Sequence, residues 1–392
     1  MTESTAMNNN GYATTLTGGF GSIRGSHCPG IEALEIFASA ANDGNNAPSI
    51  ALRKAGVLAA IPSPTWIERD GNLLYAVLED TNEVAAFRIE QGNSNNVHLT
   101  ELSHVATLGA SPTHAVICAD DSGNKHLIVA CYADGHVCVH PIAADGAVLE
   151  AAQVLTGEGR GPLPAQEGPH AHWILPLPDG RVLSTDLGAD RIYVHHWESG
   201  QLVRDGAVHL APGTGPRDMH LLPVAGSTTA HDWRVAVVGE WGNTVTLLGP
   251  TADADTPIDI QVLQTVELGG DPADQAASLA FEPWRSLQPD NAAASKIAGI
   301  TYIGLRGSER IVALGWDGEQ LHRLAPTGRP GWQGHGIDCV GSRPRHILPL
   351  GNLLLVANEV SNNVTVFQLD DDGTPTRTAD LPSGSPTVFV QL

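Results

Sequence analysis

The sequence predicts an all-β fold: a seven-bladed β-propeller, one domain over residues 1–392, its ring closed by N- and C-terminal strands sharing a blade. Three observations predict it. The first is composition, because 43 Gly and 26 Pro suit many short elements joined by tight turns better than long helices. The second is an internal repeat. Its unit is a turn ending in Pro, an apolar strand, a Gly/Asp/Asn turn, a second apolar strand, a polar loop and a third, alternating strand. The third is the spacing of roughly 50 residues, which is that of four-stranded propeller blades. A hydrophobic content of 42% is enough for a large core and excludes a wholly disordered chain.

In chain order, residues 1–11 are expected to be flexible, and YATTLTGG and IEALEIFAS (31–39) are strands without a complete unit of their own. The unit then appears as SPTWIERDGNLLYAVLEDTNEVAAFRI (63–89) and SPTHAVICADDSGNKHLIVACYADGHVCVHPI (111–142). It returns as GPHAHWILPLPDGRVLSTDLGADRIYVHHW (168–197) and GPRDMHLLPVAGSTTAHDWRVAVVGEWGNTVTLLG (215–249). A looser copy with a long polar insertion covers 276–316, and RPRHILPLGNLLLVANEVSNNVTVFQLD (343–370) is the last of six. In it, Val364, Val366 and Gln368 alternate with Thr365, Phe367 and Leu369, as in a strand with two unlike faces. The terminal PTVFVQL (386–392) can pair with the N-terminal strands, which completes a seventh blade and removes exposed edges. A β-sandwich of similar hairpins would not explain one loop grammar six times over.

Positions that vary among copies are where function can sit on a repeated scaffold. Two columns stand out. The residue after the turn proline reads Thr65, Thr113, His170, Arg217 and Arg345. The residue five before the apolar start of the third strand reads Glu79, Tyr132, Leu187, Glu240, Arg306 and Glu359. In a propeller such columns become rings around the channel, so the expected cup holds His170, Arg217, Arg306, Arg345, Glu79, Glu240, Glu359 and Tyr132. Three arginines suit a carboxylate or phosphate, and a His with Glu neighbours can move protons near neutral pH. The plain alternative is a salt-bridge ring that only stabilises the channel, but such a ring needs no mixture of His, Arg, Tyr and Glu.

Other chemistry finds less support. The formal net charge of −22 repels phosphate backbones, so no nucleic acid is expected as a partner. No apolar run approaches the roughly 18 residues of a membrane span, and MTESTAMNNN lacks the regions of a secretory peptide. A cytoplasmic setting is the expectation, with five reduced cysteines and Cys131 and Cys138 buried and unpaired. A GxSxG elbow is absent. His170 and His172 could share a metal on one strand face, but no third ligand is visible by spacing, so neither metal nor cofactor is expected. His195 and His196 read as structural or solvated, Gly18–Gly21 as no phosphate loop, and His335 as a cup cover or a plain connecting loop. A monomer is the default.

The segments GPHAHWI, STDLGADRIYVH, GPRDMHL, GEWGNTVTLL, GLRGSERIVAL and PRHILPLGNLLLVANEVSNNVTVF carry a resemblance over nearly the whole chain. The sequence resembles the seven-bladed propeller lactonases, which include bacterial propeller-type 6-phosphogluconolactonases and fungal carboxy-cis,cis-muconate lactonizing enzymes. The resemblance implies a cofactor-free enzyme of carbohydrate metabolism, hydrolysing a small anionic sugar-acid lactone, foremost 6-phosphogluconolactone to 6-phosphogluconate in the pentose phosphate pathway. It places the catalytic set at His170, Arg217, Glu240 and Arg306, all within the two columns, with Glu79, Tyr132, Arg345 and Glu359 left as substrate-binding residues. The chain departs from the family at Gly239–Glu240, at Leu305–Arg306–Gly307, and at Glu359, where the family often has Gln. Either His170 or Glu240 could be the general base. A muconate-type cycloisomerase using the same arginines, and a silent propeller scaffold, are the alternatives.

Overall fold

The computed structural model describes residues 12–39, 49–92, 97–224, 226, 229–251, 258–283, 298–324, 332–333, 336–370 and 373–392. The flexible start expected over 1–11, the polar insertion of the fifth copy and His335 lie outside the described residues.

Each repeat becomes an antiparallel sheet. Blades 1 to 6 span 64–106, 112–156, 171–209, 216–267, 276–338 and 344–382, each starting at its innermost strand. Five of the six are four-stranded, whereas blade 5 adds short strands at its outer edge for a total of six. Blade 7 is shared between the chain ends: Pro386–Gln391 is innermost, followed outward by Tyr12–Gly19, Ile31–Ser39 and Ser49–Ala59. Innermost strands of successive blades pack on one another, and the ring closes from Pro386–Gln391 back onto Pro64–Asp70. The expected seven-bladed architecture and its closure are thus observed. Among the described residues the one helical element is the 3-10 turn Ser22–Arg24, and no helix is long and apolar enough to cross a membrane.

Burial explains the strand grammar. Second strands such as Leu73–Leu78 (LLYAVL) lie between neighbouring blades on both faces and read apolar throughout. Outermost strands such as Val97–Ala106 alternate half-buried and exposed residues, because solvent reaches them. The core is therefore a series of inter-blade layers. Leu16, Ile31 and Val388 of blade 7, for example, pack with Ile67 and Leu74 of blade 1, each contributing about 1.5–3 kcal/mol when fully buried. All five cysteines are free, and the Cys131 and Cys138 sulfurs lie 4.0 Å apart in the core of blade 2.

Closure leaves no spare volume. Thr17 Oγ1 donates to the Val388 carbonyl at 3.0 Å, tying the two chain ends within blade 7, and Thr387 Oγ1 donates to the Thr65 carbonyl at 2.9 Å, joining blades 7 and 1. A Cβ on Gly19 would come within 2.0 Å of the Ser385 carbonyl oxygen. Gly19→Ala is expected to destabilise the protein by about 1–3 kcal/mol, read from the urea midpoint. A midpoint unchanged within error would show that the closing blade can relax.

Candidate active site

All seven innermost strands carry a one-residue register shift at their first turn. In blades 1, 2, 4, 6 and 7 the turn proline pairs with the last residue of the second strand, as Pro64 does with Leu78, and the next pair skips one residue. Ala171 and Ala276 occupy the proline position in blades 3 and 5. Such a bulge re-aims the extra residue. Here it builds a ring of Thr65, Thr113, His172, Arg217, Ala277, Arg345 and Thr387. All but Ala277 line one cavity at the level of this ring.

The second column forms a ring above it, held by one recurring bond. The N–H groups of Glu79, Tyr132, Leu187, Glu240, Arg306 and Glu359 donate to the carbonyls of Ser63, Ser111, His170, Gly215, Gln275 and Arg343, at 2.8–3.2 Å. The Phe20 N–H makes the same bond to Ser385, so Phe20 is the seventh member. Five of the accepting residues, Ser63, Ser111, Gly215, Arg343 and Ser385, have positive φ, which turns the chain inward.

This pattern corrects one sequence assignment. His170 occupies the turn position of Ser63 or Gly215, whereas His172 is the counterpart of Arg217 and Arg345. Pro169 precedes strand pairing by two residues, since pairing in blade 3 begins with Ala171 opposite Asp186. The aromatic residue that follows the column could have revealed the offset, as in Thr65–Trp66, Thr113–His114, His172–Trp173 and Arg345–His346. Phe20 and Thr387 were missed because their blade is split between the chain ends. The Ser385-Pro386-Thr387 triplet, matching Ser63-Pro64-Thr65, was the available signal.

The structure brings seven of the eight expected residues into one electrostatic cluster, and His170 adjoins it through Tyr132. Glu240 Oε2 is 3.1 Å from Arg217 Nε and 2.8 Å from Arg306, all three side chains being buried. Burial opposes its charge, but Arg306 and Arg217 outweigh burial and hold its carboxyl below the ordinary value. Arg345 pairs with Glu359 at 2.9 Å, and Arg24 of the 3-10 turn reaches Glu79 at 2.9 Å. Burial raises the Glu79 carboxyl despite Arg345 and Arg24. The Phe20 ring carries the guanidiniums of Arg24 and Arg345, at 4.1 and 4.8 Å from its centroid. Burial, then Glu240, raises Tyr132, which stays a neutral phenol.

His170 is half-buried and stacked on Tyr132 with ring centroids 4.5 Å apart. Its Nδ1 lies 2.7 Å from the Tyr132 carbonyl oxygen. A carbonyl only accepts, so Nδ1 carries hydrogen and the neutral ring keeps its lone pair on Nε2. Trp66, His114, Trp173 and His346 pack ring against ring, the His114–Trp173 pair stacked at 3.8 Å and Trp66 meeting Trp173 and His346 edge-on; three of the four line the cavity. His195 is buried against Ser184, and His196 pairs with Asp205 away from the cup. No group of three His, Cys, Asp or Glu able to hold a metal occurs among the described residues.

Glu240→Gln would leave two buried guanidiniums without their counter-ion. It is expected to destabilise the protein by about 3–5 kcal/mol in urea unfolding at neutral pH. With its carboxyl held low in the folded state, Glu240 stabilises above its unfolded pKa of about 4.3 and loses that contribution as pH falls. The difference between wild type and variant should therefore shrink toward acid pH; a pH-independent difference would remove the ion-pair explanation.

Comparison with known proteins agrees with this architecture. The family model described as "Lactonase, 7-bladed beta-propeller" matches residues 43–391. A 6-phosphogluconolactonase of Bacillus subtilis is 26% identical over 329 residues, 82% of this chain and 84% of that one. One of Pectobacterium carotovorum is 28% identical over 314 residues, 79% and 81% of the two chains. The periplasmic gluconolactonase PpgL of Pseudomonas aeruginosa superposes with a TM-score of 0.73 at 22% identity, over 97% of this chain and 99% of that one. Phe20 and Arg24 precede the matched span, so part of the cup comes from chain that the family model does not reach. With the repeat, the closure and a match over most of its length in agreement, the chain belongs to the seven-bladed β-propeller lactonase family.

Proposed function

We propose that the cup hydrolyses a sugar-acid lactone without a metal, with 6-phosphogluconolactone, the substrate named in its relatives, as the expected substrate. The observation that carries this reading is the buried Arg217–Glu240–Arg306 triplet in one cup with an imidazole whose tautomer is set. Nε2 of His170 takes a proton from water as the hydroxyl oxygen bonds to the lactone carbonyl carbon. Arg217 and Arg306 stabilise the oxyanion, since each keeps N–H groups not directed at Glu240. The intermediate collapses by breaking the ring C–O bond, and the imidazolium returns its proton to the departing oxygen, giving the open hydroxy acid. Glu240 fits the base role poorly, because two cations depress its basicity; it orients the arginines instead. Arg345 and Glu359 take the far end of the substrate with Glu79 and Tyr132. A cytoplasmic monomer remains part of the proposal, consistent with five free cysteines.

The test is the disappearance of 6-phosphogluconolactone near neutral pH with chelator present, against the spontaneous rate. An enzyme-dependent excess supports metal-free lactone hydrolysis. No excess on this lactone removes it as substrate, and an excess abolished by chelator removes the metal-free mechanism.

A further inference from the structure

His172 is the one imidazole in the inner ring, and nothing so far has given it a task. It occupies in blade 3 the bulge position that Arg217 holds in blade 4 and Arg345 in blade 6, and it lines the same cavity. Its exposure is only 6%, and its Nδ1 is buried with no hydrogen-bond partner. Its backbone is tied down, since Thr113 of the neighbouring blade donates to its carbonyl at 3.4 Å, and Tyr132 meets its ring edge-on at 6.1 Å. Leaving a buried polar atom unpaired costs about 1–3 kcal/mol, which a ligand hydrogen bond would offset.

The surroundings define the kind of ligand group. Burial, then the guanidiniums of Arg217, Arg345 and Arg306, hold the imidazole well below the ordinary histidine range. It is therefore neutral at working pH and keeps a lone pair on one ring nitrogen, beside the Arg217 and Arg345 guanidiniums. Arg217 and Arg345 line the rest of this level as donors, beside Thr65, Thr113 and Thr387; Thr113 and Thr387 give their hydroxyl hydrogens to the His172 and Thr65 carbonyls, and Glu79 is the one acidic side chain among the described residues lining the cavity. A lining that offers guanidinium donors on one side and the His172 lone pair with threonine oxygens on the other matches a group that both donates and accepts, namely a hydroxyl. A carboxylate or phosphate oxygen would satisfy the arginines but put its own lone pair against that of His172.

We propose that His172 is a specificity-determining residue of the cup, accepting a hydrogen bond from a hydroxyl of a polyhydroxylated lactone. It thereby separates sugar-acid lactones from unsubstituted ones of equal charge. The inference rests on the lactone-binding reading of the cup but not on turnover, so the test reads binding and rate separately. Calorimetry would compare 6-phosphogluconate with 6-phosphonohexanoate, which keeps both anionic ends and lacks every hydroxyl. Wild type and His172→Phe would be used, with His172→Asn as a second variant of smaller volume, each checked by circular dichroism for the native fold. His172→Phe is expected to weaken 6-phosphogluconate at least about tenfold and leave 6-phosphonohexanoate within about twofold. His172→Asn, which restores an acceptor, is expected to recover part of the loss. Equal weakening of both ligands, no weakening of either, or no binding by wild type would overturn the inference. Should wild type bind 6-phosphogluconate through His172 yet open no lactone, the hydrolytic reading falls and this one stands.

Discussion

Arg217→Ala is expected to lower kcat/KM for lactone opening by about 10²–10³-fold while the circular dichroism spectrum stays that of the wild type. The size follows from what the side chain loses. Arg217 is buried in the inner ring, its Nε faces Glu240, and its remaining N–H groups are free to stabilise a developing oxyanion in a site screened from water. Removal also leaves Glu240 with Arg306 as its nearer cation, so some loss of stability accompanies the loss of rate. Kinetics separates the two: an effect on kcat with KM nearly constant identifies transition-state stabilisation, whereas an effect confined to KM reduces Arg217 to a substrate anchor. Activity within a few-fold of wild type would end the assignment and leave the Arg–Glu ring a structural one.

The second large effect concerns the base. His170→Ala is expected to reduce kcat by about 10²–10⁴-fold, and imidazole added to the buffer should restore part of it. The geometry favours His170 over Glu240 because the Tyr132 carbonyl holds the Nδ1 hydrogen and leaves Nε2 able to accept a proton. Glu240 has the opposite situation, a carboxylate engaged by two guanidiniums. Should His170→Ala retain activity within tenfold while Glu240→Gln, still folded, loses it, the roles exchange. Together with the expected stability loss of Glu240→Gln, these variants separate proton transfer from arginine positioning.

Much of the cup was legible in the sequence because the blades repeat their turns. Glu79, Tyr132, Glu240, Arg306 and Glu359 fall in one column by counting, and one backbone hydrogen bond per blade holds that column together in space. Counting failed where a blade departs from the local pattern. In blade 3 the proline stands two residues before the first strand pair, so the column was entered at His170 when the inner ring holds His172. Register belongs to the sheet, and a bulge can shift it without changing the turn residues that announce it.

The sequence by itself determined the all-β class, the number of blades and the chemical character of the cup, since these depend on local alternation, turn residues and their repetition. Only the tertiary structure decided that Phe20 and Thr387 complete the two rings, because they meet their neighbours only when strands from opposite ends of the chain pair. It also decided which arginine faces which glutamate, and that His172 is enclosed by cations with a free ring nitrogen. Those are properties of ring closure: six independently readable units fix their side chains' partners only once the blade shared by the chain ends has joined the last to the first.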